Sequence, residues 1–300
     1  ELLIDLLRDR DGYVRDEIEN ALLKLGAERV IESLIAALNS DSSDIRGAAA
    51  VILGRLKDAR ALSPLIRLLS DHEVIDQSDF DHEYPVRVAA SFALEQIGDA
   101  RAVEPLSALL SDEVAEVRAI VTGILGRFGD PKAVEPLLAL LDDTSAIAEG
   151  AFLGVASVRE VVIFSLGALG DSRAVEPLIA LLGEVNVKVR YGVVEALGTL
   201  GDPNAIDPLI ALLGDKDADV RKRTIIALSN LGDLRAIEPL KDMSQVEEIE
   251  DVKDMCHLSL LSLGDVEYAD EVIKVIRTRG NTFLFNRYNR HFNEAQMQRL

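Results

Sequence analysis

Gly201-Asp202-Pro203-Asn204-Ala205-Ile206-Asp207-Pro208-Leu209 opens a stretch that runs through Asp219-Val220-Arg221 to Leu231-Gly232. It reads as two short helices with a turn at each end. Glycine supplies the left-handed residue that closes one helix, and the Asp after it can cap the next by accepting from its free N–H groups. Beyond the Arg, apolar residues fall at offsets +3, +6, +7 and +10. Val193, Ala196, Leu197 and Leu200 fill them after Arg190, and Val162, Ser165, Leu166 and Leu169 after Arg159. That is the period of a helix buried on one face.

The same stretch recurs along the chain. A β-branched residue followed by Arg stands at Val14-Arg15, Ile45-Arg46, Val86-Arg87, Val117-Arg118, Val158-Arg159, Val189-Arg190 and Val220-Arg221, with Val252-Lys253 as a weaker eighth copy. The spacings are 31, 41, 31, 41, 31, 31 and 32, so the period is 31 with two blocks of ten residues inserted. Pro64, Pro105, Pro136, Pro177, Pro208 and Pro239 share one register. Proline lacks the N–H, so a restart is expected there, with the longer helix of each pair beginning near it. Neither helix buries its apolar face alone; stacked pairs bury it together. The expectation is an all-α solenoid of about eight helix pairs over residues 1–265, with a C-terminal helix and capping tail over 266–300.

Composition narrows the function. The 300 residues hold 32 basic and 52 acidic side chains, a net charge of −20. Phosphate binding needs clustered Lys and Arg, so nucleic acid is excluded as a partner, and an anionic membrane surface is disfavoured. No apolar run approaches the roughly 18–20 residues of a membrane-spanning helix. One cysteine rules out an internal disulfide framework and suits a reducing, cytoplasmic setting. The apolar 48% is Leu, Ala, Val and Ile, with no Trp, five Tyr and eight Phe.

The pattern resembles the HEAT-like repeats named after phycobilisome lyases, over about residues 40–265, and most closely over 201–232. The resemblance implies that the repeated Arg residues tie adjacent turns through an acid about six positions earlier: Asp9 for Arg15, Asp112 for Arg118, Glu184 for Arg190 and Asp215 for Arg221. The family includes bilin-attaching lyases, assembly factors and binding scaffolds. Tyr84-Pro85-Val86-Arg87 is similar to a Tyr-Pro-Leu-Arg run in E-type subunits of heterodimeric lyases. That likeness implies a bilin cofactor and a second HEAT-like subunit as partner. Deoxyhypusine hydroxylase, also HEAT-like, holds iron through His-Glu pairs after the anchoring residue; no such pair stands there in this chain, so that activity is rejected.

The insertions both enter between the two helices of a unit. The first, about 71–85, holds Asp71-His72-Glu73 and Asp81-His82-Glu83, residue types that suit a divalent cation. No Ca²⁺-loop pattern is present, and a solvated acidic loop is the default. The second, about 144–157, is apolar and glycine-containing. Its Phe152 and Leu153, with Tyr84 of the first, are candidate partner contacts.

The second helix of each pair is expected on the concave side, with offsets +1, +4, +5 and +8 exposed. Val51, Val88, Phe92, Ile163, Phe164, Tyr191, Val194, Ile225 and Ile226 occupy such positions, and Gly54, Gly126, Gly167 and Gly198 strip side chains from the same stripe. An apolar groove of this kind takes an amphipathic helix or a flat apolar ligand. Glu95, Glu160 and Glu195 at its margin favour a partly basic partner. The tail concentrates Phe283, Phe285, Tyr288 and Phe292 among Arg287, Arg290 and Arg299, for capping or for partner contact. There is no GxSxG, P-loop, GxGxxG or HExxH. The chain therefore reads as a non-catalytic protein-binding scaffold, adaptor or assembly chaperone that requires no cofactor, the alternative being a phycobilin lyase subunit or bilin-handling chaperone that attaches a tetrapyrrole to a phycobiliprotein.

Overall fold

Each Gly-Asp pair does what its chemistry demands. In the computed structural model, which describes residues 2–9, 11–73, 86–147 and 156–279, Gly98, Gly129, Gly170, Gly201, Gly232 and Gly264 have φ between 68° and 98°. Lys57 makes the same turn at φ 53°. The next Asp accepts from the backbone N–H two residues on, as Asp99 does from Arg101 and Asp202 from Asn204, at 3.0 and 2.9 Å. One 3₁₀ turn follows, such as Pro203–Ala205, and the helix then starts two residues ahead of its proline. The proline is thus the third helical residue, where its missing N–H would have had no partner.

The restart at proline is as expected; the order of lengths is reversed. Proline-bearing helices span 5 to 10 residues, and those bearing the Arg span 12 to 14. The 3₁₀ turn delays the start of the first helix. A second one, Leu109–Ser111 or Leu212–Gly214, closes it early in two repeats.

The backbone divides into two units, residues 1–165 and 166–300. The first holds α1 (Leu2–Asp5), α2 (Gly12–Leu25), α3 (Ala27–Ala37), α4 (Ser43–Leu56), α5 (Leu62–Leu68), α6 (Val86–Ile97), α7 (Val103–Ala108), α8 (Ala115–Phe128) and α9 (Val134–Ala139). Helix α10 (Val158–Leu169) bridges the division. The second unit continues with α11 (Val175–Ile179), α12 (Val187–Leu200), α13 (Ile206–Ala211), α14 (Ala218–Leu231), α15 (Ile237–Val246), α16 (Glu250–Ser262) and α17 (Ala269–Arg279). Among the described residues there is no strand, only an isolated bridge between Ala146 and Ser157. No described helix is long and apolar enough to cross a membrane.

Leucines at two repeated positions form the core of each unit of this α-solenoid. Leu53, Leu94, Leu125, Leu166, Leu197 and Leu228, seven residues after each Arg, are all 0% exposed, and so are Leu65, Leu106, Leu137, Leu178, Leu209 and Leu240 after each proline. Each buried leucine contributes roughly 1.5–3 kcal/mol against its exposed state. The stack continues into 266–279: Ala269, Val272 and Ile276 of α17 pack on Leu258 and Leu261 of α16. Both insertions leave the turn between a unit's helices and are closed at their bases. Val86 N–H donates to Glu73 O at 2.8 Å, and Ile147 N–H to Ala156 O at 3.1 Å.

Candidate functional site

The repeated arginines are tethers. Arg46, Arg87, Arg118, Arg190 and Arg221 donate through Nε to Asp71, Asp112, Asp143, Asp215 and Glu247 at 2.6 to 2.8 Å. Nη1 of Arg118, Arg190 and Arg221 donates to the main-chain carbonyl six residues earlier: Asp112, Glu184 and Asp215. The acid six positions back is therefore met through its carbonyl, whereas Asp112 and Asp215 turn their carboxylates to the arginine of the preceding repeat. One loop thereby clamps two repeats.

The glycines at offset +8 set the distance between the Arg-bearing helices. In the first unit a Cβ on Gly54 would lie 2.6 Å from Ala93 Cα, and one on Gly126 2.7 Å from Ser165 Cβ. In the second unit, Cβ atoms on Gly167 and Gly198 would come within 2.9 Å of Ala196 and Ala227. Every such contact pairs offset +8 with offset +6 of the next helix. Side chains four apart share a helix face, so offset +4 belongs to this contact and not to the open surface.

That corrects part of the expected groove. Ile163, Val194 and Ile225, all at +4, are 0% exposed. Val88, in the first turn of α6 beside the Val86–Glu73 closure, is also buried. Offset +5 is what remains open: Phe92 and Phe164 in the first unit and Ile226 in the second are exposed, Phe164 the most at 49%. Val51 and Tyr191 are half-buried. Helix α8 lies between Phe92 and Phe164 in chain order and has Gly123 at the same offset, so the first unit presents two aromatics with no side chain at the position between them.

The marginal glutamates are already engaged, so they do not offer free acids to a basic partner. Glu95 accepts from Nε and Nη2 of Arg127, a two-pronged pair. Glu160 is buried and accepts from Ala156 N–H and the Ser157 hydroxyl. Glu195 accepts from Arg223 Nη1 at 2.8 Å. Arg223 in turn lies over the Tyr191 ring, 5.1 Å from its centroid. The Tyr191 hydroxyl donates to Asp217 Oδ1 at 3.0 Å, and the same carboxylate caps α14 through Asp219 and Val220 N–H. Burial, then this hydrogen bond, pushes the Tyr191 phenol above its ordinary range. Beside the pair is a notch of about 230 Å³ lined by Glu195, Gly198, Thr199, Arg223, Ile226, Ala227 and Asn230. Arg223 escaped the sequence reading because it is not an anchoring Arg; its signal was its place 28 residues after Glu195 in the next repeat.

Other candidates fare differently. Asp71 and Glu73 are held by Arg46, and His72 is exposed. No group of three metal-ligating residues occurs among the described residues. Asp81, His82, Glu83, Tyr84, Phe152, Leu153, Phe283, Phe285, Tyr288 and Phe292 lie outside them. Burial pushes the Cys256 thiol up to about 12, which keeps it an inert core group. His257, four residues after Lys253, is buried and stacks on Tyr268 with centroids 5.2 Å apart.

The sequence profile of HEAT repeats matches residues 1–78, 75–153, 156–213 and 175–260. The chain belongs to the HEAT-repeat family. This HEAT-repeat chain is similar to the complex of CpcE and CpcF of phycocyanin lyase from Nostoc sp. PCC7120. The identity is 25% over 80% of this chain and 92% of that one, with a TM-score of 0.46. YibA of Escherichia coli is 20% identical over 86% of this chain and 91% of its own, with a TM-score of 0.57. The Kap95:Nup1 complex matches at 14% identity over 95% of this chain and 44% of that one, with a TM-score of 0.55. The likenesses to YibA and Kap95:Nup1 show the fold alone. No curated protein matches in sequence.

Proposed function

We propose that this HEAT-repeat protein is a non-catalytic scaffold, an adaptor or assembly chaperone that holds an apolar segment of another protein. The observation that carries this reading is the exposed pair Phe92 and Phe164 in the first unit, with Gly123 at the equivalent position between. A chain that had only to remain soluble would place polar residues there. The second unit adds exposed Ile226. A cytoplasmic setting fits the single buried thiol of Cys256.

The test is a pull-down from the native host with the intact chain, Phe92→Glu and Phe164→Glu. Loss of the same partner from both variants supports the reading. Retention of every partner overturns it.

The bilin-lyase alternative draws on Tyr84-Pro85-Val86-Arg87 and on the apolar groove with its nearby carboxylates. Val86 is 0% exposed and Arg87 is locked to Asp112, which leaves the described half of that run a structural role. Co-expression with an apo-phycobiliprotein and bilin tests it directly: a covalent, visible-absorbing adduct that forms only with this chain would establish the lyase, and no adduct would remove it.

A further inference from the structure

Arg223 is held in place from two sides. The Tyr191 ring lies against its guanidinium, itself fixed by the hydroxyl bond to Asp217 at the start of α14, and Glu195 takes Nη1. Among the described residues, its Nε–H and Nη2–H groups donate to nothing. Those donors form the edge of a guanidinium that matches a carboxylate two-for-two. The notch next to it has an apolar floor: Gly198 and Ala227 make the helix contact there, and no larger side chain fits on Gly198. Ile226, 38% exposed, forms an apolar wall. An open anion-binding edge therefore adjoins a pocket with room for one branched aliphatic side chain.

We infer that this notch seats an aliphatic side chain of a partner protein whose neighbouring Asp or Glu is bound by Arg223. The inference rests on the scaffold reading and adds the partner's chemistry. A net charge of −20 favours basic partners over the surface at large, but here one oxygen of Glu195 is already taken by Arg223 Nη1, and the fork formed by Nε–H and Nη2–H suits a carboxylate. The local arrangement decides within a Debye length of about 8 Å at physiological salt. Tyr191 is a positioning residue in this scheme and Arg223 the specificity determinant.

The experiment is selection of a random, phage-displayed dodecapeptide library on the full chain. Enriched peptides are then synthesised in two forms, with the acid and with Gln or Asn in its place. Enriched sequences should share an aliphatic residue within one helical turn of Asp or Glu. Arg223→Gln should weaken the acid form by about tenfold or more, as expected for loss of a two-pronged charge-assisted pair, and erase the difference between the two forms. Ile226→Asp should weaken both. Thermal unfolding of Arg223→Gln reports that the fold is intact, as expected for an exposed side chain. Three results overturn the inference: no enrichment, enrichment without an acid, or equal binding of both forms to the intact chain. Peptides lost on Phe92→Glu or Phe164→Glu but indifferent to Arg223→Gln would keep the scaffold reading while removing this one.

Discussion

Arg87 and Asp112, twenty-five residues apart, form an ion pair in which each side chain is only 2% exposed. Two hydrogen bonds join them, and Asp112 also receives Val114 N–H. Both charges have given up their water, so each depends on the other. Replacing one alone strands a buried charge, at a cost of about 3–5 kcal/mol. Arg87→Met and Asp112→Leu should each lower the urea midpoint sharply, and the double variant should cost less than the sum of the two. Additive losses would show that the pair is not coupled. The exposed Arg101–Asp99 pair is the control, with little change in the urea midpoint expected for Arg101→Ala.

Gly198 sits where a Cβ would lie 2.9 Å from the Ala227 Cβ, in a contact repeated at Gly54, Gly126 and Gly167. Gly198→Ala should push α12 and α14 apart and destabilise the second unit by about 1–3 kcal/mol. Gly214 has nothing within 4 Å of that position and a negative φ. Gly214→Ala should be neutral or stabilise by up to about 1 kcal/mol through the unfolded chain. Thermal unfolding of the two variants side by side checks both, and equal behaviour would deny the contact its role.

Lys57 holds a left-handed conformation at φ 53°, at the turn that six other repeats give to glycine. A Cβ in that region costs roughly 1–2 kcal/mol. Lys57→Gly should therefore raise stability by about 1 kcal/mol or less, because glycine also loses more chain entropy on folding. A fall in the denaturation midpoint would mean that the Lys57 side chain makes up for its backbone.

The fold was legible because each repeat states it locally. The Leu197 and Leu209 columns follow from a 3.6 period, and the Gly201-Asp202 turn from cap chemistry alone. The inner surface was less legible, because one residue of rotation separates open from closed. Phe164 at +5 is half exposed, and Ile163 at +4 is buried. What chooses between them is the Gly–Ala contact with the next helix, a register relation that no single helix contains. The same holds for Glu195: alone it is an acid on a rim, and only the neighbouring Arg223 makes it a neutral pair.

His257 gives the chain a pH response of its own below neutrality. The imidazole is buried in α16 against Tyr268, and burial holds its pKa below the ordinary 6.5; Glu271, Asp254 and Glu250 pull it back up, and Lys253 pushes it further down. A group with a depressed cationic pKa binds its proton more readily when unfolded. Stability should be complete well above pH 6.5 and decline as pH falls through 6.5 toward the folded value, where the loss ends. Glu247 works in a different window. The Arg221 hydrogen bond lowers its pKa below 4.5, so its contribution persists until the solution is more acidic than that. Urea unfolding at pH 7.5 and 5.5 separates the two: the intact chain should lose stability between them, and His257→Gln should lose less. An equal loss in both chains would place the titrating group elsewhere than the α16–α17 pair.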